Sequence, residues 1–538
     1  MQPSSEFSPA RPLLDRRRFL ELAGVASLAA CGTGGTKSPP GPTPTSLSPT
    51  RSASGGPPNW SALAGRMSGT LVLPSDAAYA VSRQLFDFRY DSIKPQAIAY
   101  CESPSDVQYC LELSRNSGVA PRARAGGHSY GGWSTGTGLV IDVTRMASVT
   151  PSNGAASPAT AKIGAGTRLV DVYAGLAAAG VAIPAGSCPT VGVGGLTLGG
   201  GQGVVGRSYG LTCDKLQSLD IVTADGTLHH CTAGSSGLDG DLFWASRGGG
   251  GGNFGVVTSF TFETVAAPSL TTFAVSWPWE AAADVIAGWL SWAPGAPDQI
   301  WSTLLLIAHV GGTGAPGPQV RVAGVYNGDA GSAASLVNGL VSAVGATPSH
   351  RSAYTPPNYL STMLYEGGCS GLDVEQCHLP SQTAGGQLTR KPAIGASDYV
   401  TSPLSTAGIN VIVDFVNQRQ ANPILGEGGA QFDSYGGAIN RVASNATAFA
   451  HRDALAGIQR SSSFSMSDSA QVIAAGQTWL DDFTKALRPY VSGGSYVNYI
   501  DPDLKDFATA YYGSNLPRLE SIKKKADPQR LFDFPQAI

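Results

Sequence analysis

The chain has 538 residues, a formal net charge of −3 and only 14 % charged residues. It therefore carries no broad basic field of the kind that binds nucleic acid. Hydrophobic residues make up 42 %, ample for a globular protein, and the length exceeds one ordinary core, which points to two large domains.

The N-terminus reads as an address. Arg16 to Arg18, followed by Phe19, Leu20 and an apolar stretch to Ala30, resembles a twin-arginine export signal and is too short to span a bilayer. "LAAC", ending at Cys31, resembles a bacterial lipobox, in which the cysteine would be lipidated. An ordinary cleaved signal is the alternative, so the expected location is extracytoplasmic, anchored or secreted. Residues 32–65 are expected to be a Pro, Ser, Thr and Gly linker. Twin-arginine export carries folded proteins, which suits a cofactor inserted before export.

Further along, residues 95–129 read strand, helix, strand, Gly-rich turn. Ile98 to Tyr100 is a short apolar strand, and Ser103-Pro104-Ser105-Asp106 starts a helix that Gly118 stops. "GLVIDVTRM" is a buried strand ending near Asp142, and residues 161–187 repeat strand, turn, helix, strand. "LQSLDIVTADGTLHHCT" is a hairpin turning at Asp225-Gly226, with His229 and His230 solvated on one arm. Near residue 270 the texture changes. Five of nine tryptophans (277, 279, 289, 292 and 301) fall there, and strand-like runs alternate with helix-like ones. That pattern implies an antiparallel sheet covered by helices. The whole reads as an α+β, two-domain chain: a first domain at 66–268, a second at 269–475, and a C-terminal segment at 476–538.

Glycine is abundant, at 69 residues, and three clusters fall in the first domain: Gly126-Gly127, "GVGGLTLGGGQG" (192–203) and "RGGGGGNFG" (247–255). Such clusters mark backbone that approaches a ligand. Gly250, Gly252 and Gly255 satisfy G-x-G-x-x-G, but a helix-like run precedes them and a strand follows, the reverse of a Rossmann fingerprint. Loops of main-chain amides still suit a pyrophosphate. His128 and Cys188 lie in these loops, some 60 residues apart, and both side chains are nucleophiles once deprotonated. Cys369 and Cys377 enclose a short Gly-containing loop and are the best disulfide pair, whereas Cys101 and Cys110 flank a predicted helix. No Cys/His spacing resembles a zinc site, and His378 has no obvious partner.

"PRARAGGHSYGG", "PAGSCPTVGVGGLTLGGGQG", "GLTCDKLQSLDIVTADG", "DLFWASRGGGGGNFGVVTSF" and the tail from "SYVNYIDPDL" onward resemble the berberine-bridge-enzyme-like FAD-linked oxidases of the vanillyl-alcohol-oxidase type. The likeness runs over about residues 70–538. It implies a PCMH-type FAD-binding domain completed by the C-terminal segment, and FAD held by two covalent bonds, from His128 to the 8α-methyl and from Cys188 to C6. Arg124, Gly126, Gly127, Ser129, Val191, Gly192, Gly194, Gly195, Gly199, Gly200, Gly203, Asn253, Gly255, Val257 and Asn498 are expected to line the cofactor. Val191 stands where plant members use a valine to admit oxygen. In related carbohydrate oxidases the tyrosine after the asparagine of "SYVNY" acts as base, here Tyr499, with Tyr496 as a second candidate. The two could share a side only if the segment bends. From "QFDSYGGAINRV", Gln431, Asp433 and Tyr435 are expected near the substrate.

The reaction these residues imply is hydride transfer from an alcohol or hemiacetal carbon to FAD, with O2 as acceptor and H2O2 as product. A sugar or oligosaccharide is the first choice of substrate, and the aromatic-rich second domain suits sugar stacking as well as core packing. A secondary-metabolite oxidase, a dehydrogenase feeding a membrane carrier and a non-catalytic flavin-binding protein are the other readings.

Overall fold

The computed structural model describes residues 56–152, 159–309 and 317–538. Arg16 to Arg18, Cys31 and most of the expected linker lie outside the described residues. The expected linker is nevertheless too long at its C-terminal end. Helix Trp60–Arg66 is capped by the Asn59 side chain, buries Leu63 and pairs Arg66 with Glu112 at 2.8 Å. Its apolar side closes on helix Pro104–Ser117, so this stretch is packed structure.

The first unit holds two small sheets. In one, strands Ala97–Tyr100 and Pro121–Arg124 both run parallel to the central strand Leu139–Asp142, and Thr70–Val72 joins antiparallel at the edge. The helix between the first two strands starts and stops as the sequence predicts. The Ser103 hydroxyl accepts from the Asp106 N–H at 3.2 Å, Pro104 opens the first turn, and Gly118 ends the helix at φ 74°. Asp106 does more than favour a helix start. It is buried and accepts from the N–H groups of Ser68, Gly69 and Glu102, stitching the N-terminal strand to the helix.

The second sheet is antiparallel, ordered Val149–Pro151, Thr160–Gly164, Val256–Glu263, Leu216–Val222, Leu228–Thr232. The expected hairpin is its last pair. His229 is not solvated. Its side chain is mostly buried against Asp239 (2.6 Å), because helix Gly237–Ala245 packs back on that strand, whereas His230 is exposed and pairs with Asp220.

The second unit is a seven-stranded antiparallel sheet. Its order is His350–Tyr354, Leu270–Trp277, Gln319–Asn327, Ile300–Ala308, Gly428–Ser434, Ala456–Ser463, Ala393–Val400. Helices Ala282–Trp292, Ala330–Val344, Thr406–Ala421 and Ala470–Leu487 supply the apolar side chains that join this sheet in one core. Strand Ala456–Ser463 shows why: its residues alternate buried and half-buried, so one face must be covered. Trp277 and Trp289 serve this packing, with Trp279 and Trp292 partly buried against it, whereas Trp301 joins the core of the first unit. Trp277, Trp289 and Trp301 are buried, and the indole N–H of Trp289 donates to Ser302 at 2.9 Å.

Two boundaries move. Helix Ala470–Leu487 straddles the expected junction at 475/476 and belongs to the second unit, since Trp479, Leu480 and Phe483 fill its core. Helix Tyr359–Glu366 and the Cys369–Cys377 loop instead pack on the first unit, against helix Leu169–Ala177. Cys369 and Cys377 form the disulfide, with Cα atoms 5.7 Å apart. Cys110 lies inside its helix and not at its flank. It and Cys101 are buried thiols without a disulfide bond. His378 does have partners: Asp171 (3.1 Å) and the Val374 carbonyl (2.8 Å). Among the described residues no helix is long and apolar enough to cross a membrane.

Candidate active site

The chain leaves strand Pro121–Arg124 through Gly126 and Gly127 and meets a second loop main chain to main chain. A Cβ on Gly126 would stand 2.2 Å from the Gly192 nitrogen, and one on Gly192 would stand 2.3 Å from the Gly126 nitrogen. Only glycine permits that crossing. Gly127, at φ 72°, then turns the chain to present His128. The crossing brings together the segments that carry His128 and Cys188.

Thr190 is their common neighbour. Its hydroxyl lies 2.9 Å from His128 Nε2, and it also hydrogen-bonds the Cys188 thiol. The His128 ring stacks on Phe86 at 4.0 Å. Burial, with Arg168 nearby, lowers its pKa to about 3, so the imidazole is neutral at ordinary pH. Cys188 opens into a cleft but is ringed by protein. That burial raises its thiol pKa, against hydrogen bonds from Thr190 and the Val191 amide.

The cleft has a volume of about 430 Å³. His128, Cys188, Ser129, Val191, Gly192, Gly194 and Gly195 line it, as do Arg124, Gly126 and Gly127. From the third glycine loop come Asn253, Gly255 and Val257. Arg124 is held by Asp142 through Nε, while its Nη1 is buried without a protein partner. Trp133 Nε1, also on the wall, is likewise unpartnered. A Cβ on Gly195 would have no heavy atom within 4 Å, so a side chain there would reach into the open space of the cleft. Unpaired donors, bare main chain and an apolar floor fit a large dinucleotide.

Gly199, Gly200 and Gly203 do not line the cleft. A Cβ on Gly199 would lie 2.1 Å from Asn498 Oδ1, on Gly200 2.9 Å from the Phe449 ring, and on Gly203 1.8 Å from the Ala185 carbonyl oxygen. These glycines let the 196–203 loop pack beneath the cleft. Asn498 lines the cleft and fixes this loop, donating through Nδ2 to the Leu196 carbonyl (3.0 Å).

At the other wall stand the tyrosines. Residues 495–499 are irregular: the Tyr499 N–H donates to the Tyr496 carbonyl at 2.8 Å, the bend that lets both rings meet. The Tyr496 oxygen accepts from the amides of Gly201 (2.9 Å) and Gln202 (3.2 Å) and from Asn498 Nδ2 (3.0 Å). Tyr499 lies stacked with Tyr130, 6.0 Å between centroids. Burial holds its phenol well above the ordinary value, and the carboxyl of Asp433 is the next influence on it.

Gln431 and Tyr435 are also absent from the cleft wall. Gln431 Nε2 donates to Asp433 at 3.1 Å, so it steadies that carboxyl. Tyr435 is buried behind the wall and donates to Gln202 Oε1 at 3.1 Å. Asp433 is buried, and its pKa is raised by burial to about 6. In the sequence, Asp433 stands only as a residue expected near the substrate, without a role. Tyr130, Trp133 and Gln202 are not singled out there, although each is the non-glycine residue beside a glycine pair. Among the described residues no group of three or more His, Cys, Asp or Glu side chains could hold a metal ion.

The chain is similar to known proteins over most of its length. The family described as "FAD binding domain" matches residues 95–232, and the one described as "Berberine and berberine like" matches residues 495–538. A chitooligosaccharide oxidase of Gibberella zeae is 32 % identical, over 83 % of this chain and 87 % of that protein. An uncharacterized FAD-linked oxidoreductase of Bacillus subtilis, YgaK, is 30 % identical over 88 % of this chain and 97 % of its own length. Among solved structures, BBE-like 1 of Physcomitrella patens superimposes with a TM-score of 0.79 at 30 % identity, covering 89 % of this chain and 98 % of that one.

Proposed function

Because the chain belongs to the berberine-bridge-enzyme-like FAD-linked oxidoreductases of the vanillyl-alcohol-oxidase type, we propose that it oxidises the hemiacetal carbon of an oligosaccharide, with oxygen as acceptor and hydrogen peroxide as product. The observation that carries this reading is the position of Tyr499: a phenol on the wall of the cleft that also holds His128 and Cys188, with the buried Asp433 carboxyl near enough to act on it electrostatically. FAD, when bound, supplies the hydride acceptor and the route of two electrons to oxygen.

The chain's own residues do the rest. His128 and Cys188 would hold FAD through two covalent bonds. Thr190 engages Nε2 of the neutral imidazole, which leaves Nδ1 for attachment. Tyr499 takes the substrate hydroxyl proton and passes its own to Asp433, whose carboxylate is the acceptor above about pH 6. Gln431 keeps that carboxyl in place. Val191, on the cleft wall, leaves room for oxygen. The chitooligosaccharide oxidase supports the choice of a sugar. Export by the twin-arginine route, with a lipid anchor at Cys31, would put the activity outside the cytoplasm.

Oxygen uptake and peroxide formation, measured with cello-, xylo- and chito-oligosaccharides, test the proposal. Peroxide equal to oxygen consumed, with lactone as product, is expected. Uptake only with glycosylated or aromatic alcohols would replace the sugar by a secondary metabolite. Flavin reduction without reoxidation in air would make the protein a dehydrogenase.

A further inference from the structure

Gln202 stands inside the run "GGGQG", residues 199–203, and is the residue of that run that lines the cleft. Its backbone is tied to the tyrosine turn and runs close to the Cys188 segment. Its N–H donates to the Tyr496 hydroxyl at 3.2 Å. A Cβ on Gly186, two residues before Cys188, would lie 3.4 Å from its carbonyl oxygen. The residue therefore joins the Cys188 segment to the tyrosine turn.

The side chain is fixed as well. Oε1 accepts from the Tyr435 hydroxyl at 3.1 Å. Tyr435 is itself buried, its ring edge-on to Tyr399 at 5.4 Å, and Tyr399 stacks on His451 at 4.2 Å. A carboxamide oxygen only accepts, so the Tyr435 hydrogen goes to Oε1 and Nε2 keeps both of its own. Nε2 is buried and has no partner. A desolvated amide donor is costly unless something accepts from it, and at a cleft wall a ligand can do so.

The ligand is argued from the neighbours. Tyr399, Tyr435 and Tyr496 form one buried cluster on which Tyr499 packs. Gln202, bonded to Tyr435 and to Tyr496, thus belongs with the tyrosine cluster on which Tyr499 packs. We propose that Gln202 orients the substrate: its Nε2 donates to the oxygen on the carbon being oxidised and holds that hydroxyl against Tyr499, with Tyr435 as the positioning residue behind it. The hydroxyl proton leaves to Tyr499, and Gln202 only donates a hydrogen bond. The assignment rests on the sugar-oxidase reading given above.

The test is anaerobic stopped-flow reduction of the flavin in the holoprotein by the sugar that reduces wild type best, which yields a substrate Kd and a limiting reduction rate separately. Gln202→Leu is expected to lower the reduction rate about tenfold to a hundredfold. The visible spectrum without sugar, the reduction potential and the rate of reoxidation by oxygen should stay unchanged. Gln202→Glu keeps the shape and the Tyr435 bond but replaces the donor by an acceptor, and should lose as much. Tyr435→Phe keeps the amide but frees it, and should lower the same rate by a smaller factor. If Gln202→Leu does not fold or load flavin, the other two variants decide. Unchanged sugar constants in a variant, while wild type is reduced, overturn the role of Gln202 alone. A shifted flavin spectrum or potential with unchanged sugar constants also overturns it, because the amide would then meet the cofactor. If no sugar reduces wild type, the sugar-oxidase reading fails and this assignment falls with it.

Discussion

The rings of Tyr496 and Tyr499 meet edge to face, 5.0 Å between centroids and 79° between planes, yet their hydroxyls have opposite circumstances. Three donors converge on Tyr496, which ties the 201–202 amides to the tail, whereas Tyr499 faces the cleft beside Asp433. Tyr499→Phe should therefore keep its flavin and lose about 10²- to 10⁴-fold in the rate of flavin reduction. Tyr496→Phe should lower thermal stability and flavin content first. Equal effects of the two substitutions on reduction rate, at equal flavin content, would argue against a base at 499.

Burial raises the pKa of the Asp433 carboxyl to about 6. As the acceptor for the Tyr499 proton it must be ionised, so the reduction rate should fall as pH drops below about 6. Asp433→Asn should remove that acidic limb and lower the plateau. A limb that survives in the variant would assign it to another group.

His128 and Cys188 predict a flavin that stays with the protein after acid precipitation. Each single substitution, His128→Ala or Cys188→Ala, should leave the pellet yellow with a shifted spectrum, and the double variant should release its flavin. Colour lost from wild type on precipitation would sink the bicovalent assignment.

The loop crossing at Gly126 and Gly192 leaves no room for a methyl group. Gly126→Ala or Gly192→Ala should push the loops apart, cost about 1–3 kcal/mol of stability and reduce covalent flavin per chain. Thermal melts and absorbance ratios read both effects.

The C-terminus is clamped by Lys523, whose ammonium donates to the carbonyls of Asn253 (2.6 Å) and Phe532 (2.7 Å) and pairs with the buried Asp527 (2.9 Å). Removing one partner strands a buried charge. Lys523→Ala should destabilise by about 3–5 kcal/mol and loosen Asn253 at the cleft wall. Wild-type melting behaviour would be incompatible with this clamp.

Local signals were legible in the chain itself. Ser103, Pro104 and Gly118 announced a helix with its ends because capping is a matter of neighbouring residues. The hairpin at Asp225-Gly226 and the buried run Leu139–Asp142 were readable for the same reason, whereas the turn at 496–499 was only a condition until the structure supplied it. The glycine loops signalled close backbone approach by residue type alone, whereas a cofactor role for His128 and Cys188 came from the resemblance of their motifs to a family.

Tertiary structure decided what depends on distant segments. It brought the Asp433 carboxyl into the electrostatic surroundings of Tyr499 and put Gln202 in hydrogen-bond reach of Tyr435, relations made by a strand of one unit against loops of the other. It sent Trp277 and Trp289 into the core beneath the helices, and gave Gly199, Gly200 and Gly203 to packing because Asn498, Phe449 and Ala185 arrive from elsewhere in the chain. Sequence periodicity records which face is apolar, not what will cover it. The neighbours of Tyr499 and of the unpartnered Gln202 amide come from segments far apart in the chain, so no local pattern records them.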